Sequence, residues 1–252
     1  MITPASLVAT AIGVAVLAVV ATVVLAAYRV PRLWEPVVAI ARGAVQLAVI
    51  SVILGGIITD PVLIGLALLV MFTIASGVAT GRVGWSPRAF AAMASSIAAG
   101  AVVTLTIVFT TGTLEFTARY TLAIGAIVIG NAMGIATLTG RTFRTTVHDH
   151  WDEVEGWLAL GARPRQATVA LGRQAVRLAL IPSIDQTKTT GLVVLPGAFV
   201  GAIFGGISPL EAGRFQLVVL AALMAAGAIT AVMVALWWGN VRTRPAMSGT
   251  AR

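Results

Sequence analysis

The sequence predicts an all-α membrane protein, a polytopic bundle of about seven transmembrane helices. Apolar residues make up 58% of the 252 residues and charged residues only 10%, whereas an ordinary soluble domain has about 25% charged residues. The mean hydropathy is +0.98. Because so few charges cannot cover a globule in water, the surrounding solvent must be membrane lipid. The length then fits a single transmembrane domain, residues 1–252, in the cell membrane.

The predicted spans are apolar runs of about 20 residues, the length needed to cross roughly 30 Å of hydrocarbon. They cover residues 6–27, 36–58, 62–80, 89–110, 120–139, 188–206 and 214–238. No positive charge precedes the first run, and no small-residue cleavage site stands out after it. We therefore expect this run to remain as a transmembrane helix and not to be removed as a signal peptide.

The positions of the basic residues predict the orientation of the chain. Arginines follow the first and third spans, recur through residues 140–187, and occupy the tail at 242–252, which we expect to be flexible. Positive residues mark the cytoplasmic side of a membrane protein. The N-terminus should therefore lie outside and the C-terminus inside. Since topology accounts for the net charge of +8, no nucleic-acid partner is expected.

Two chemistries are excluded by the residues themselves. The chain has no cysteine, so it can form neither disulfides nor thiolate metal sites. A phosphate-binding loop needs the motif G-x-x-x-x-G-K-[ST], and no glycine of that motif precedes the pair Lys188-Thr189. Any ATP and magnesium must be bound by a separate chain, and we expect neither a catalytic residue nor a cofactor in this one.

Residues 140–187 are the one large polar stretch, and their pattern predicts a helix, a break and a second helix. The first helix has an apolar stripe at helical spacing, made of Trp151, Val154, Trp157 and Leu158. A glycine favours the end of a helix and a proline the start of the next, which places the break at Gly161 and Pro164. The hairpin either lies flat on the membrane or docks a cytoplasmic partner, and its acidic patch and tight turn favour docking. The docking candidates are Asp152, Glu155, Leu160, Gly161, Ala162 and Pro164.

The same stretch contains a possible set of metal ligands. His148, Asp152 and Glu155 share one helix face and could ligate zinc or iron. The other histidine, His150, points elsewhere, and acidic surface helices are common. A solvated face is therefore the favoured interpretation, and no metal site is predicted.

A carboxylate and the single lysine of the chain stand at the entrance to the predicted sixth span. Asp185 and Lys188 are three residues apart, close enough to pair on one helical turn. The pair is either an anchor at the lipid headgroups or a gate contact where the loop joins the span. Pro196, in the middle of that span, would permit a kink and completes the gate or hinge candidates.

Polar residues and glycines inside the predicted spans suggest a pathway and helix contacts. Arg42 and Gln46 share one face of the second span and are pathway candidates. Asn131 either donates a hydrogen bond to a neighbouring helix or lines the same pathway. Two glycine ladders fit close helix packing, within one subunit or between two. They are Gly130 with Gly134, and Gly197 with Gly201 and Gly205.

Several co-linear blocks resemble the FetB/YbbM-type membrane subunits of ABC transporters. They are ARGAVQL (41–47), GNAMGIA (130–136), LALGARPRQA (158–167) and RLALIPSIDQTKTTGLVVLPGAFVGAIFGGISPLEAGRFQ (177–216). The resemblance implies a permease homodimer that works with a separate ABC ATP-binding subunit. In bacteria this family is linked to iron export, and its plant relatives are associated with aluminium tolerance and UDP-glucose transport.

The resemblance also implies that residues 140–187 form the coupling loop to the ATP-binding subunit. The spacing from Glu155 to Gly161 is similar to that of the coupling motif in permeases of bacterial importers. That motif continues with Leu-Pro at a position where this chain has Leu171-Gly172-Arg173. The docking role is therefore expected without the importer's details.

Three functions remain as hypotheses. The first is the permease subunit of an ATP-driven exporter of iron or another metal. The second is transport of an organic solute, such as a nucleotide sugar, on the same scaffold, and the third is a non-transporting membrane anchor for a cytoplasmic ATPase. The predicted spans contain no histidine, and no acid away from their ends, to bind a naked cation. The assignment of iron as the substrate therefore rests on the resemblance, and an anionic or chelated substrate suits Arg42 better.

Overall fold

The computed structural model describes residues 4–57 and 60–245, and this part of the chain is helical apart from turns, links and one isolated bridge between Thr190 and Val194. Its helices are α1 Pro4–Ala27, α2 Glu35–Ile57, α3 Pro61–Val83, α4 Pro87–Thr110, α5 Ala118–Asp149, α6 Trp151–Ala159, α7 Pro164–Thr189, α8 Gly197–Phe204 and α9 Pro209–Trp238. They fall into two units, residues 1–59 and 60–252. The single domain predicted from the sequence stays a prediction.

The first unit is the pair α1 and α2, which pack against each other. The link between them turns through Arg29 and Arg32, both with positive φ. Arg32 forms an ion pair with Glu35 in the first turn of α2, with 3.1 Å between Nη1 and Oε1. A carboxylate is favourable at this end of a helix because the helix dipole is positive there.

The second unit is a bundle in which α9 packs against α4, α5 and α7, while α3 packs against α4 and α5. Its core is made of small and branched apolar side chains, among them Ile97, Ile124 and Val234. Small residues let the backbones approach closely. At Gly100, for example, a Cβ atom would lie 2.7 Å from the Ala226 carbonyl oxygen of α9.

Local capping residues set the starts of the bundle helices. Asp60 and Ser86 accept hydrogen bonds from the backbone amides of Val62 (2.8 Å) and Ala89 (3.0 Å). Ser208 similarly accepts from Glu211, at 3.3 Å. A proline follows each of these caps. This combination satisfies amides that have no partner within the helix and preorganises its first turn.

Among the described residues, five helices are long and apolar enough to cross a membrane. They are Ser6–Ala27, Pro61–Val83, Pro87–Thr110, Ala118–Asp149 and Pro209–Trp238. The predicted class of a polytopic helical membrane protein is confirmed. Helix α2 covers the predicted second span up to Ile57, and residue 58 lies outside the described residues. Seven spans and the orientation stay predictions.

The predicted sixth span, residues 188–206, is wrong. Helix α7 ends at Thr189, and the chain turns at Gly191, whose φ is +85° and whose amide donates to Val194 O at 2.9 Å. The following helix α8 has eight residues and begins after Pro196. Apolar composition alone does not reveal this break, because one glycine and one proline interrupt the helix and lower the mean hydropathy of the run only slightly.

The bounds of the predicted loop at 140–187 also need correction. Residues 140–149 continue α5, and residues 164–187 belong to α7, which leaves α6 and a short turn between two long helices. Helix α7 runs antiparallel to α9: Thr168 Oγ1 donates to Gly239 O at 2.8 Å, and Leu180 packs beside Gly227. The polar half of the predicted loop therefore lies against a membrane-spanning helix.

The start of the tail contacts the end of α5. Arg244 Nη2 donates to the His148 carbonyl oxygen at 3.2 Å, and His148 Nδ1 lies 2.9 Å from the Pro245 carbonyl oxygen. The rest of the tail that we expected to be flexible, residues 246–252, lies outside the described residues.

Candidate functional site

The candidate site is the helix–turn element, residues 151–164, which comprises α6, the turn after it and the first residue of α7. One buried side chain fixes this element to the bundle. Val154 is fully buried in a small core cluster with Phe143 and Val147 of α5 and with Leu171 of α7. The element is therefore held against two long helices. This packing stabilises α6, which is too short to be a stable helix by itself.

The outward face of α6 combines acidic and apolar side chains. Asp152 and Glu155 are exposed. Trp157, a member of the predicted apolar stripe, is 52% exposed, and Leu160 at the tip is 83% exposed. The stripe that packs inward is Trp151, Val154 and Leu158. Because the packed positions 151, 154 and 158 are spaced three and then four residues apart, Trp157 lies at the edge of the inward face and stays exposed.

The turn after α6 has the hydrogen bonds of a Schellman motif. Gly161 N donates to Leu158 O and Ala162 N donates to Trp157 O, both at 3.0 Å. Gly161 has a φ of +87°, a left-handed conformation that glycine adopts without a steric cost. Nothing lies within 4 Å of the position that a Cβ atom would occupy there. The glycine is therefore required by the backbone conformation and not by lack of space.

Helix α7 begins with its own cap. The Arg163 amide donates to Gln166 Oε1 at 2.9 Å, and Pro164 occupies the first turn. Thr168 Oγ1 then contacts both Pro164 O (3.1 Å) and Gly239 O (2.8 Å). These bonds connect the turn to the end of α9. A force applied to the turn would thus reach a long helix of the bundle directly.

Two contacts of this region had no clear signal in the sequence. Trp238 packs against both core clusters, and a Cβ atom at Gly140 would overlap its ring. Arg141 Nε donates to the Arg82 carbonyl oxygen at 2.9 Å, which ties α5 to the end of α3. An arginine at the end of a membrane-spanning helix indicates orientation from sequence, but its partner 59 residues away in the chain becomes visible only in the fold.

The two histidines lie close to the element but are engaged elsewhere. His150 Nδ1 lies 3.0 Å from the Thr146 carbonyl oxygen of its own chain segment, and His148 contacts Pro245. Asp152 and Glu155 are exposed on α6. Within the described part of the chain, no group of three or more histidine, aspartate or glutamate side chains is arranged to hold a metal ion.

Asp185 and Lys188 lie far from the helix–turn element. Lys188 Nζ is 3.5 Å from Asp185 Oδ1, and both side chains are exposed, at 70% and 61%. They occupy the last turns of α7, about 36 Å along the helix from Pro164 at 1.5 Å per residue. The pair therefore does not lie where the loop joins a span, as the sequence suggested, but near the end of the long helix α7.

Pro196, the predicted hinge residue, does not lie in the middle of a helix as expected. Pro196 precedes α8 and lies in no helix interior, whereas Pro182 lies inside α7. A proline inside a helix removes one backbone hydrogen bond and clashes with the preceding turn, which produces a kink. Pro182, three residues before Asp185, is thus the position at which α7 can bend.

The pathway candidates are divided between the two units. Arg42 and Gln46 are both exposed, one turn apart on α2. In the second unit, Asn131 Nδ2 donates to the Leu223 carbonyl oxygen of α9 at 3.3 Å. This bond gives Asn131 the interhelical contact that was one of its two predicted roles.

The glycine ladders make no close contact with other helices in the described chain. Nothing lies within 4 Å of a Cβ position at Gly130, Gly134, Gly197 or Gly201, and at Gly205 the nearest atoms are backbone oxygens of α8 itself. Close approaches occur instead at Gly100, Gly125 and Gly140. Regular spacing alone did not identify the glycines that the packing needs.

Comparison with known proteins assigns the chain to a family. Residues 8–241 match the Uncharacterised protein family (UPF0014). The chain is 40% identical to the UPF0014 membrane protein STAR2 of Oryza sativa subsp. japonica, over 79% of this chain and 70% of that protein. It is 36% identical to the Protein ALUMINUM SENSITIVE 3 of Arabidopsis thaliana, over 79% of this chain and 73% of that one.

A bacterial relative carries a functional name. The chain is 32% identical to the Probable iron export permease protein FetB of Escherichia coli (strain K12), over 77% of this chain and 76% of that protein. No solved structure matches the chain. The helices, the apolar composition and these relatives together show that the chain is a multi-pass membrane protein of the UPF0014 family.

Proposed function

We propose that the chain is the membrane-spanning permease subunit of an ABC transporter and exports iron or another metal. The family relationship to the probable iron export permease supports the class of protein and the substrate. Two copies of the permease would work with separate ATP-binding subunits, and ATP and magnesium would bind in those partner chains. The open faces of the glycine ladders are consistent with a second copy, because the described chain leaves them uncovered.

The proposed topology has seven spans with the N-terminus outside. The seven long helices α1, α2, α3, α4, α5, α7 and α9 have at least 23 residues each, which gives more than about 30 Å of helix. Helix α7 replaces the apolar run 188–206 as the sixth span. The helix–turn element and the arginines near the ends of α1, α3, α5 and α9 then lie on one side, the cytoplasm.

The observation that carries the proposal is the construction of the helix–turn element. It is buried on one face by Val154, closed by the Gly161 turn, and exposes Glu155, Trp157 and Leu160 on the other. Tryptophan is enriched at protein interfaces, whose centres are apolar and whose rims are polar, so Trp157 and Leu160 suit the centre of an interface and Glu155 its rim. We propose that this face docks the ATP-binding subunit and transmits its motion to α7 and α9.

Substitutions on the docking face should weaken the complex with the ATP-binding subunit. We expect Glu155→Ala and Leu160→Ala each to lower its affinity by about tenfold, or about 1.4 kcal/mol, a loss that only the minority of interface residues that dominate the binding energy reach. Both side chains are exposed, so membrane insertion and helix content should not change. The measurement is co-purification and transport-coupled ATP hydrolysis in reconstituted vesicles.

Glu115→Ala is the matched control, because Glu115 is an exposed acid in the link between α4 and α5, away from the helix–turn element. It should leave the affinity unchanged. Wild-type affinity in both docking variants would contradict the docking face. A stable complex that hydrolyses ATP without moving any substrate would instead favour a membrane anchor.

An organic anion, such as a nucleotide sugar or a metal chelate, is the second candidate substrate. It is favoured by Arg42 and Gln46, which are exposed side by side on α2. A guanidinium suits phosphate and carboxylate groups, which it can bind through two parallel hydrogen bonds. Uptake assays with inverted vesicles distinguish the two, since only the first candidate predicts ATP-dependent accumulation of iron without an organic ligand.

The pair Asp185–Lys188, together with Pro182 inside the same helix, is the proposed gate. We expect Lys188→Gln alone to reduce transport and Asp185→Asn with Lys188→Gln to recover part of the loss, because the double change leaves no unpaired charge. The pair is exposed in the single chain, so the stability of the fold should change by less than about 1 kcal/mol. Transport by all variants is compared in one vesicle preparation. Strictly additive losses, together with wild-type behaviour of Lys188→Arg, would reduce the pair to an interfacial anchor.

A further inference from the structure

A groove lies between α7 and α9, close to the helix–turn element. Its volume is about 470 Å³, within the usual range of ligand pockets. The fully buried ring of Phe143 lines it, together with Val169, Val232 and Leu236, which are 48%, 47% and 52% exposed. Val169, Val232 and Leu236 thus remain uncovered in the described chain, and they can accept another apolar group.

Three arginines line the same groove. Arg165, Arg173 and Arg177 lie on one face of α7, and the described residues that line the groove with them include no acid. The ion pairs found in the described part of the chain involve other residues. An apolar groove whose positive groups have no protein counter-charge is complementary to an amphiphile with an anionic head.

The position of the groove along α9 relates it to the membrane. Thr168 of α7 is bonded to Gly239 at the end of α9, so Arg165 lies near this end. Arg173 and Arg177 lie about 8 and 14 Å further along α7 from Thr168, at 1.5 Å per residue. The exposed Trp237 stands in the last turn of α9, and tryptophan is enriched at the level of lipid headgroups. Long arginine side chains can extend from this depth to a phosphate at the interface.

We propose that this groove is a binding site for one anionic phospholipid of the cytoplasmic leaflet. The apolar walls hold an acyl chain, and the arginines of α7 bind the phosphate. Basic pockets between membrane helices on the cytoplasmic side are suited to such headgroups. Because the groove is bounded by both helices connected to the helix–turn element, its lipid would brace α7 against α9. The site requires only that this end of α9 be cytoplasmic, and it does not depend on the proposed substrate.

The binding test uses the purified full-length chain in detergent, titrated with dioleoyl phosphatidylglycerol and with dioleoyl phosphatidylcholine under native mass spectrometry. The wild type should prefer phosphatidylglycerol. Arg173→Gln with Arg177→Gln should weaken its binding by roughly thirtyfold, since an arginine near an anionic surface contributes about a factor of five. Arg88→Gln with Arg242→Gln removes the same charge at exposed positions outside the groove and should keep the wild-type affinity. Equal affinity for both lipids, or equal loss in the control, would overturn the proposal.

Two further experiments identify the molecule that occupies the groove. Glycerophosphoglycerol, the headgroup without acyl chains, should not displace the lipid; full displacement would indicate a site for a soluble anion and would overturn the lipid. A photoreactive benzoylphenylalanine in place of Val232 should crosslink to phospholipid in native membranes. Crosslinking to a second copy of the chain or to an ATP-binding subunit would show instead that the groove is a protein interface.

Discussion

Gly100→Ala should destabilise the bundle by forcing α4 and α9 apart. A Cβ atom at Gly100 would overlap Thr230 Oγ1 and lie 2.7 Å from the Ala226 carbonyl oxygen. That carbonyl belongs to the backbone of α9, so a side-chain rotation cannot relieve the clash. Thr230 would also move, and its hydroxyl donates a buried hydrogen bond to the Ser96 carbonyl oxygen at 3.2 Å. We expect a loss of about 1–3 kcal/mol in the free energy of unfolding, the usual cost of overpacking.

The matched control is Gly77→Ala in the interior of α3. Nothing lies within 4 Å of the Cβ position at Gly77, and alanine is about 1 kcal/mol better than glycine inside a helix. This variant should be as stable as the wild type or more stable. Unfolding in mixed micelles, followed by circular dichroism, measures both. A Gly100→Ala protein with wild-type stability would show that α4 and α9 do not approach each other at this position.

The class of the fold was predictable from composition, but the bounds of one long helix were not. Five runs of sufficient length and apolarity correspond to helices in the structure, because lipid requires about 20 apolar residues for each crossing. Helix α7 was predicted as the second helix of the polar loop and not as a long helix of the bundle, because Arg173, Arg177, Asp185 and Lys188 make it polar. These charges are tolerated on its exposed face, while Leu171, Ala175 and Ala179 pack inward. A hydropathy window averages the two faces and cannot separate them.

The helix, turn and second helix of the candidate site were predicted correctly, but which side chains of the first helix are exposed was predicted less well. Gly161 and Pro164 marked the turn correctly, since each residue type has a direct backbone reason to be there. Trp157 was included in the apolar stripe because it is apolar and suitably spaced, yet it is exposed while the other members of the stripe pack inward. Whether a helix buries position 157 or 158 depends on where α5 and α7 lie. That information is tertiary, and no local pattern contains it.

Gly161→Ala should uncouple the chain from its ATP-binding subunit while leaving it in the membrane. With φ at +87°, a residue with a Cβ atom at this position costs roughly 1–2 kcal/mol. The turn would relieve that strain by leaving the left-handed region. It would then lose the bonds from Gly161 N and Ala162 N, which close the end of α6. Leu160 and Glu155 would no longer be held in one arrangement, and we expect the affinity for the ATP-binding subunit to fall by about tenfold.

Two control variants show whether the effect of Gly161→Ala comes from the backbone conformation at residue 161, from side-chain bulk there, or from backbone strain anywhere in the chain. Gly161→Asn adds a larger side chain but tolerates the left-handed region, and since nothing lies within 4 Å of the Cβ position, it should retain most of the affinity. Gly112→Ala places the same strain at a glycine with φ of +66° in the link between α4 and α5, so it should lose stability and keep its affinity. Titration of the purified ATP-binding subunit onto vesicles containing each variant gives the affinities directly. If asparagine at 161 weakened docking as much as alanine does, side-chain bulk at the interface would be the cause, and the left-handed turn would not be what positions the docking face.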